Sequence, residues 1–154
     1  MPQSPSTLLP KKKRMPAIAV KREAGFYKQM KEATQKSNRK ILLTRIENSI
    51  GAGIPDVLLC DEQGTFHFVE LKFLTSNGVT LQPSQVAWLS RHKHSQSWIL
   101  IKKQNKPTDE PELFLYPAGA AVDLKMDGLQ SVEPIHHQKG KFNWDVIFDL
   151  ICPR

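Results

Sequence analysis

Ile54-Pro55-Asp56-Val57-Leu58-Leu59-Cys60-Asp61-Glu62-Gln63-Gly64-Thr65-Phe66-His67-Phe68-Val69-Glu70-Leu71-Lys72 is two apolar runs joined by the polar stretch Asp61 to Gly64, and it decides the reading of the rest of the chain. Each run is short, apolar and bounded by turn residues, as expected of an antiparallel hairpin. If Asp61 and Thr65 close the ladder around a three-residue loop, Gly64 takes the left-handed position of a type I turn with a G1 bulge. Paired residue numbers then sum to 126, so Leu58 faces Phe68, Cys60 faces Phe66 and Asp56 faces Glu70. Period-2 alternation puts Phe66, Phe68, Glu70 and Lys72 on one face. Two carboxylates and an ammonium therefore converge. Directly opposed side chains sit about 4.5–5.5 Å apart at Cβ, where like charges repel, so a positive group must compensate. Lys72 is one candidate. A hard divalent cation is the better one, because such ions take carboxylate oxygens readily.

Pro-Asp on one strand and Glu-X-Lys on the next resembles the signature of the PD-(D/E)XK nuclease superfamily. The run Arg45-Ile46-Glu47-Asn48-Ser49, then Gly53-Ile54-Pro55-Asp56-Val57, Val69-Glu70-Leu71-Lys72 and Gln85-Val86-Ala87-Trp88-Leu89 is similar to the small stand-alone VRR-NUC and phage-type nucleases, themselves similar to archaeal-type Holliday-junction resolvases. The resemblance spans roughly residues 20 to 103, about half the chain. It implies a restriction-endonuclease-like α/β core, a central mixed β-sheet flanked by helices, and metal-assisted cleavage of phosphodiester bonds in DNA. In that scheme Asp56, Glu70 and the Leu71 carbonyl bind Mg²⁺ or Mn²⁺, one or two ions per site. Lys72 orients or deprotonates the attacking water, and the products carry 5′-phosphates.

Two further residues extend the candidate site. From Lys21 to Gln35 the chain has no helix breaker except Gly25, and Phe26, Met30 and Ala33 recur at helical spacing. Glu23 lies at the edge of that apolar stripe, whereas Glu32 points away. The resemblance makes Glu23 the extra acidic residue many superfamily members direct into the site; the alternative is a first-turn glutamate favoured by the helix dipole. Downstream, Thr80-Leu81-Gln82-Pro83-Ser84-Gln85 reads as a helix entry with Pro83 in the first turn. Gln85 matches the polar residue that the resembled nucleases bring to the active site from this helix. Gln82, where relatives often have Ser or Thr, is more naturally a solvated residue. For Asp56, Glu70 and Lys72 the competing reading is a surface ion-pair cluster.

Composition agrees with a polyanion partner. The chain of 154 residues carries 22 Lys and Arg against 15 Asp and Glu, a net charge of +7, which suits nucleic acid. Lys11, Lys12, Lys13 and Arg14 lie between Pro10 and Pro16. They read as a basic arm that either contacts phosphates or is simply solvated. We expect residues 1–16 to be disordered and 17–154 to form a single nuclease domain. Further elements are expected as a helix near 20–37, a strand over 41–46, a helix near 82–94 and a strand over 97–102. A short strand over 112–116, a short helix over 118–125 and a closing helix over 142–151 complete the order. Cys60 reads as a small core residue and, with Cys152 the only other cysteine, suggests a reducing compartment. No apolar run suits a signal peptide or membrane span, so the expectation is a cytoplasmic protein of a bacterial or phage-infected cell, neither secreted nor membrane-bound.

Other chemistries fail on spacing. Gly51-Ala52-Gly53 resembles the start of a dinucleotide loop, but the third glycine position holds Asp56. His92, His94, His136 and His137 lack partners to complete a zinc site. Size and charge favour a structure-selective endonuclease acting on branched DNA as a homodimer. A flap nuclease or exonuclease of the same superfamily, or a non-catalytic basic DNA-binding module, are the alternatives.

Overall fold

The computed structural model describes residues 17–46 and 53–154, and its frame is a six-stranded sheet in the order β1-β2-β3-β4-β5-β6. The elements run α1 (Ala17–Lys36), β1 (Leu42–Arg45), β2 (Val57–Cys60), β3 (Phe66–Leu74), α2 (Pro83–Arg91), β4 (Ser97–Lys103), β5 (Glu112–Pro117), α3 (Ala121–Asp127), β6 (His136–Lys139) and α4 (Trp144–Ile151). Short 3-10 turns flank α3 at Ala118–Ala120 and Leu129–Ser131. All neighbouring strands are antiparallel except β3 and β4, which run parallel because α2 carries the chain across between them. This is the expected α/β fold with a mixed sheet and a restriction-endonuclease-like core.

Alternation along the strands sends side chains into two cores. Val57, Leu59, Val69, Leu71, Leu100, Leu113 and Leu115 pack under α1 and α4, which contribute Phe26, Met30, Ile147, Phe148 and Ile151. Leu74, Ile99, Ile101 and Tyr116 pack on the other face with Leu89 of α2 and Leu124 of α3. Each such side chain contributes about 1.5–3 kcal/mol when fully buried. The α1 stripe of Phe26, Met30 and Ala33 is therefore the sheet-facing side of that helix, and Glu32 is exposed. In α4, Asn143 caps the first turn by accepting the Val146 N–H, and Trp144 rests among Phe26, Phe142 and Phe148.

The hairpin register matches the sequence over four pairs, from Val57 with Val69 to Cys60 with Phe66. Asp61 and Thr65 close it, and Gly64 has φ +78°. Three expectations need correction. The ladder stops at Val57, so Asp56 sits in a bend rather than opposite Glu70; the preceding Pro55 has no N–H to extend the ladder. Cys60 is half-buried rather than a core residue, since it pairs with Phe66 at the turn end of the hairpin, where Phe66 is itself exposed. A sixth strand, β6, follows where no strand was expected, pairing with β5 along an edge. The basic arm, with Lys11, Lys12, Lys13 and Arg14, lies outside the described residues. No helix among them is long and apolar enough to cross a membrane.

Candidate active site

The site arises where β3 outruns β2. Beyond Val69, Glu70 to Leu74 pair only with β4, leaving the other edge of β3 without a strand. Asp56 fills the gap: its backbone carbonyl accepts the Ile46 N–H at 2.7 Å, and its Oδ2 accepts the Leu71 N–H at 3.2 Å. In an extended strand a residue's N–H and C=O point to the same edge, so the Leu71 carbonyl opens on the same side. The side chains of Glu70 and Lys72 project toward the α2 face.

Glu70 is the centre of the arrangement. It is 1 % exposed. Its Oε1 accepts a hydrogen bond from Gln85 Nε2 at 2.8 Å and lies 3.7 Å from Lys72 Nζ, while Oε2 has no hydrogen-bond partner. Gln85 is held at both ends, since its Oε1 accepts the backbone N–H of Gln82 at the entry to α2. The α2 entry is in turn locked to the segment before Asp56. Gly53, at φ +73°, lies so close to the Ser84 carbonyl that a Cβ there would overlap it. Gln82 is exposed and joins the site only through its backbone. Lys72 is buried as well, which rules out a surface ion-pair cluster.

Three carboxyl groups share this corner, and burial dominates each. Desolvation holds Glu70 well above the ordinary glutamate range; the neighbouring Asp56 charge adds to this and Lys72 opposes it. Asp56 is raised by burial, against the Leu71 N–H and Lys72. Glu23 of α1, half-buried, is raised by burial; Lys72 and Arg45 oppose this, and the Asp56 charge reinforces it. Glu23, Asp56, Glu70, Lys72 and Gln85 thus come together from α1, the β2 entry, β3 and α2. Arg45, its guanidinium 5.1 Å from the Tyr27 ring centroid, is a neighbour for which the sequence carried no signal beyond its place in the motif run. Burial raises all three carboxyl groups, Asp56 and Glu70 interact side chain to side chain, and Glu70 Oε2 has no donor, an arrangement that a bound cation would balance. An all-oxygen donor set suits a hard divalent ion, so the residues fit the metal that the resemblance implies.

A second cluster lies on the opposite face, under α4. One ligand-capable atom from each of Asp61, His67 and Cys152 falls within 4.8 Å of the others, a grouping that could also hold a metal ion. Asp61 already accepts the Gln63 and Thr65 N–H groups through Oδ1 and meets His67 Nε2 at 2.8 Å through Oδ2. Burial pushes the Cys152 thiol up to about 12. Arg39 braces the same end by donating to the Phe148 and Cys152 carbonyls and to Glu62, whose carboxyl it holds down at about 2. These contacts join the hairpin turn to α4, far apart in sequence, and no pattern in the sequence pointed to them. Two of the other histidines stack on aromatic rings, His92 on Trp88 at 3.8 Å and His137 on Phe114 at 4.4 Å.

A mixed sheet with Asp56 at one strand entry, Glu70-Leu71-Lys72 on the next strand and an acidic residue from the preceding helix defines a nuclease of the PD-(D/E)XK superfamily. Within it, the chain belongs to the VRR-NUC domain family, whose family model matches residues 7–98, well over half the chain. No curated protein and no solved structure gives a significant match.

Proposed function

We propose that the protein is a metal-dependent deoxyribonuclease that cuts phosphodiester bonds at the Glu70 corner. The carrying observation is the fully buried Glu70 with an unpartnered Oε2 beside two further carboxyl groups. Asp56, Glu70 and the Leu71 carbonyl, with Glu23 directly or through water, would hold Mg²⁺ or Mn²⁺, one or two ions. Such an ion, when bound, offsets charge on the scissile phosphate and acidifies water beside it. Gln85 fixes the Glu70 carboxylate through Oε1, so Oε2 stays free for a ligand. Lys72 Nζ orients the attacking water and, when neutral, takes its proton. The water oxygen bonds to phosphorus as the bond to O3′ breaks, and O3′ takes up a proton from solvent, leaving a 3′-hydroxyl and a 5′-phosphate.

For substrate, the reading is a structure-selective endonuclease preferring branched DNA, a four-way junction first, and acting as a homodimer. Backbone contacts position a protein without reading base sequence, so selectivity falls to DNA shape, and a two-fold dimer presents two sites to a branched substrate. Initial rates on a four-way junction, a flap, linear duplex and single strand, with sedimentation of the free protein, test this. Fastest cutting of the junction by a dimer supports it. A monomer trimming linear ends fastest would make the protein an exonuclease instead.

A further inference from the structure

On the α1 face of the sheet, between the first half of α1 and the ends of β3 and β4, lies a groove of about 330 Å³ lined by Arg22, Gly25, Phe73, Lys102 and Lys106 among others. Arg22 precedes Glu23 in α1, and Phe73, one residue after Lys72, points to the opposite face of the sheet from Glu70 and Lys72, so the groove borders the site through α1. Phe73 pairs with Lys102 of β4. The Phe73 ring anchors two cations: Arg22 Cζ is 5.7 Å and Lys102 Nζ 5.6 Å from its centroid. Lys102 also lies 5.8 Å from the Phe142 ring centroid and donates to Gln29 Oε1 at 3.0 Å. Lys106 is held in a braced turn, where its N–H donates to Asp109 Oδ2 and Gln104 Nε2 donates to the Asp109 carbonyl.

Among the described residues, none of these three cations has a carboxylate oxygen within 4.0 Å. Outside them the only acidic residue is Glu47. Burial lowers the Lys102 pKa, the direction expected of a cation with no counter-charge. The adjoining Lys103 differs. It points into a separate depression of about 500 Å³, where Asn77 Oδ1 lies at 2.6 Å and Glu112 at 3.9 Å. Lys103 thus has an acidic partner in its depression, and the three cations of the groove on the α1 face have none among the described residues. The rings position these cations, and partial burial lowers the local dielectric, which strengthens their attraction for an incoming anion.

We propose that this groove is a phosphate-binding track: Arg22, Lys102 and Lys106 hold backbone phosphates of the bound DNA on the α1 side of the site, and Phe73 sets the spacing of the first two cations. The track rests on the nuclease reading but is testable apart from it, because binding can be measured without catalysis. In EDTA, fluorescence anisotropy of a labelled duplex across a salt series compares the wild type with Arg22→Gln, Lys102→Gln and Lys106→Gln, and with Lys103→Gln as control. Each groove variant should lower the slope of log K against log salt by about 0.9 per lost contact, and Lys103→Gln should not. With metal, the groove variants should raise KM and leave kcat near wild type. Unchanged slopes in folded Arg22→Gln and Lys106→Gln would overturn the track; both side chains reach solvent, so these variants remain informative if Lys102→Gln misfolds. Reduced slopes in a protein that cuts nothing with any metal would keep the track and discard the nuclease reading. Normal cleavage with unchanged slopes would do the reverse.

Discussion

Replacing Glu70 by glutamine should abolish cleavage and, in the metal-free protein, raise stability. The substitution keeps the Oε1 that accepts from Gln85 Nε2 and places an NH₂ where Oε2 now has no partner. It removes a buried charge that desolvation and Asp56 disfavour, and it loses a 3.7 Å ion pair with Lys72. Relieving strained functional positions commonly gains about 0.5–2 kcal/mol, which for a chain of this size raises Tm by about 1–8 °C. The sign with pH is fixed. Because the folded-state pKa of Glu70 is raised, its carboxyl is protonated in both states below the unfolded value of 4.5 and exacts nothing there. The penalty grows as pH rises through the folded pKa. Differential scanning fluorimetry in EDTA should therefore find Glu70→Gln no more stable than wild type at pH 4 and progressively more stable toward pH 8. Divalent ion should then stabilise the wild type by RT ln(1 + [L]/Kd), about 2.7 kcal/mol at a hundredfold excess over Kd, and leave the variant largely unmoved. A Glu70→Gln protein less stable than wild type at pH 8 without metal would refute the reasoning, since Lys72 would then already balance the carboxylates.

Further tests probe the parts around Glu70. Glu23→Gln should lower kcat by about 10–100-fold, in the range of groups that support a metal site, while exposed Glu32→Gln stays within about twofold; equal effects would place Glu23 outside the site. Gly53→Ala should cost at least about 2 kcal/mol, because φ +73° disfavours any side chain and a Cβ would overlap the Ser84 carbonyl; urea denaturation measures it, and a neutral result would mean that the α2 entry can move. Gln85→Ala should reduce kcat while leaving duplex affinity in EDTA unchanged, since both ends of the Gln85 amide are engaged, with Glu70 and the Gln82 N–H; a loss confined to KM would argue against its role in holding Glu70.

Much of this site could be read before any coordinates because its geometry is local. A three-residue turn ending in Gly64 fixes the register, and period-2 alternation then puts Glu70 and Lys72 on one face. The reading failed one residue past the ladder. Asp56 does not pair across from Glu70; its side chain substitutes for a strand by taking the Leu71 N–H, a consequence of Pro55 that pairing rules alone do not convey. The phase of α1 was legible from Phe26 and Met30, and it placed Glu23 inward and Glu32 outward. Strand β6 was not, because His136-His137-Gln138-Lys139 is a polar edge strand with no hydrophobic alternation, held by pairing to β5. The Arg39 and Asp61–His67–Cys152 contacts were equally silent, since they join residues that only the folded sheet brings together.

The central claim is that the carboxylates of Asp56, at the start of β2, and Glu70, in β3, serve a divalent ion in cutting a nucleic-acid strand. The most direct measurement is cleavage of a labelled four-way DNA junction by the wild type in EDTA, then after Mg²⁺ or Mn²⁺ is restored in excess, beside Asp56→Ala under both conditions. The account predicts no product in EDTA, 5′-phosphorylated product once metal is restored, and none from Asp56→Ala, with junction affinity in EDTA alike for both proteins. Full cleavage in excess EDTA, or metal-restored activity that survives Asp56→Ala, would contradict it.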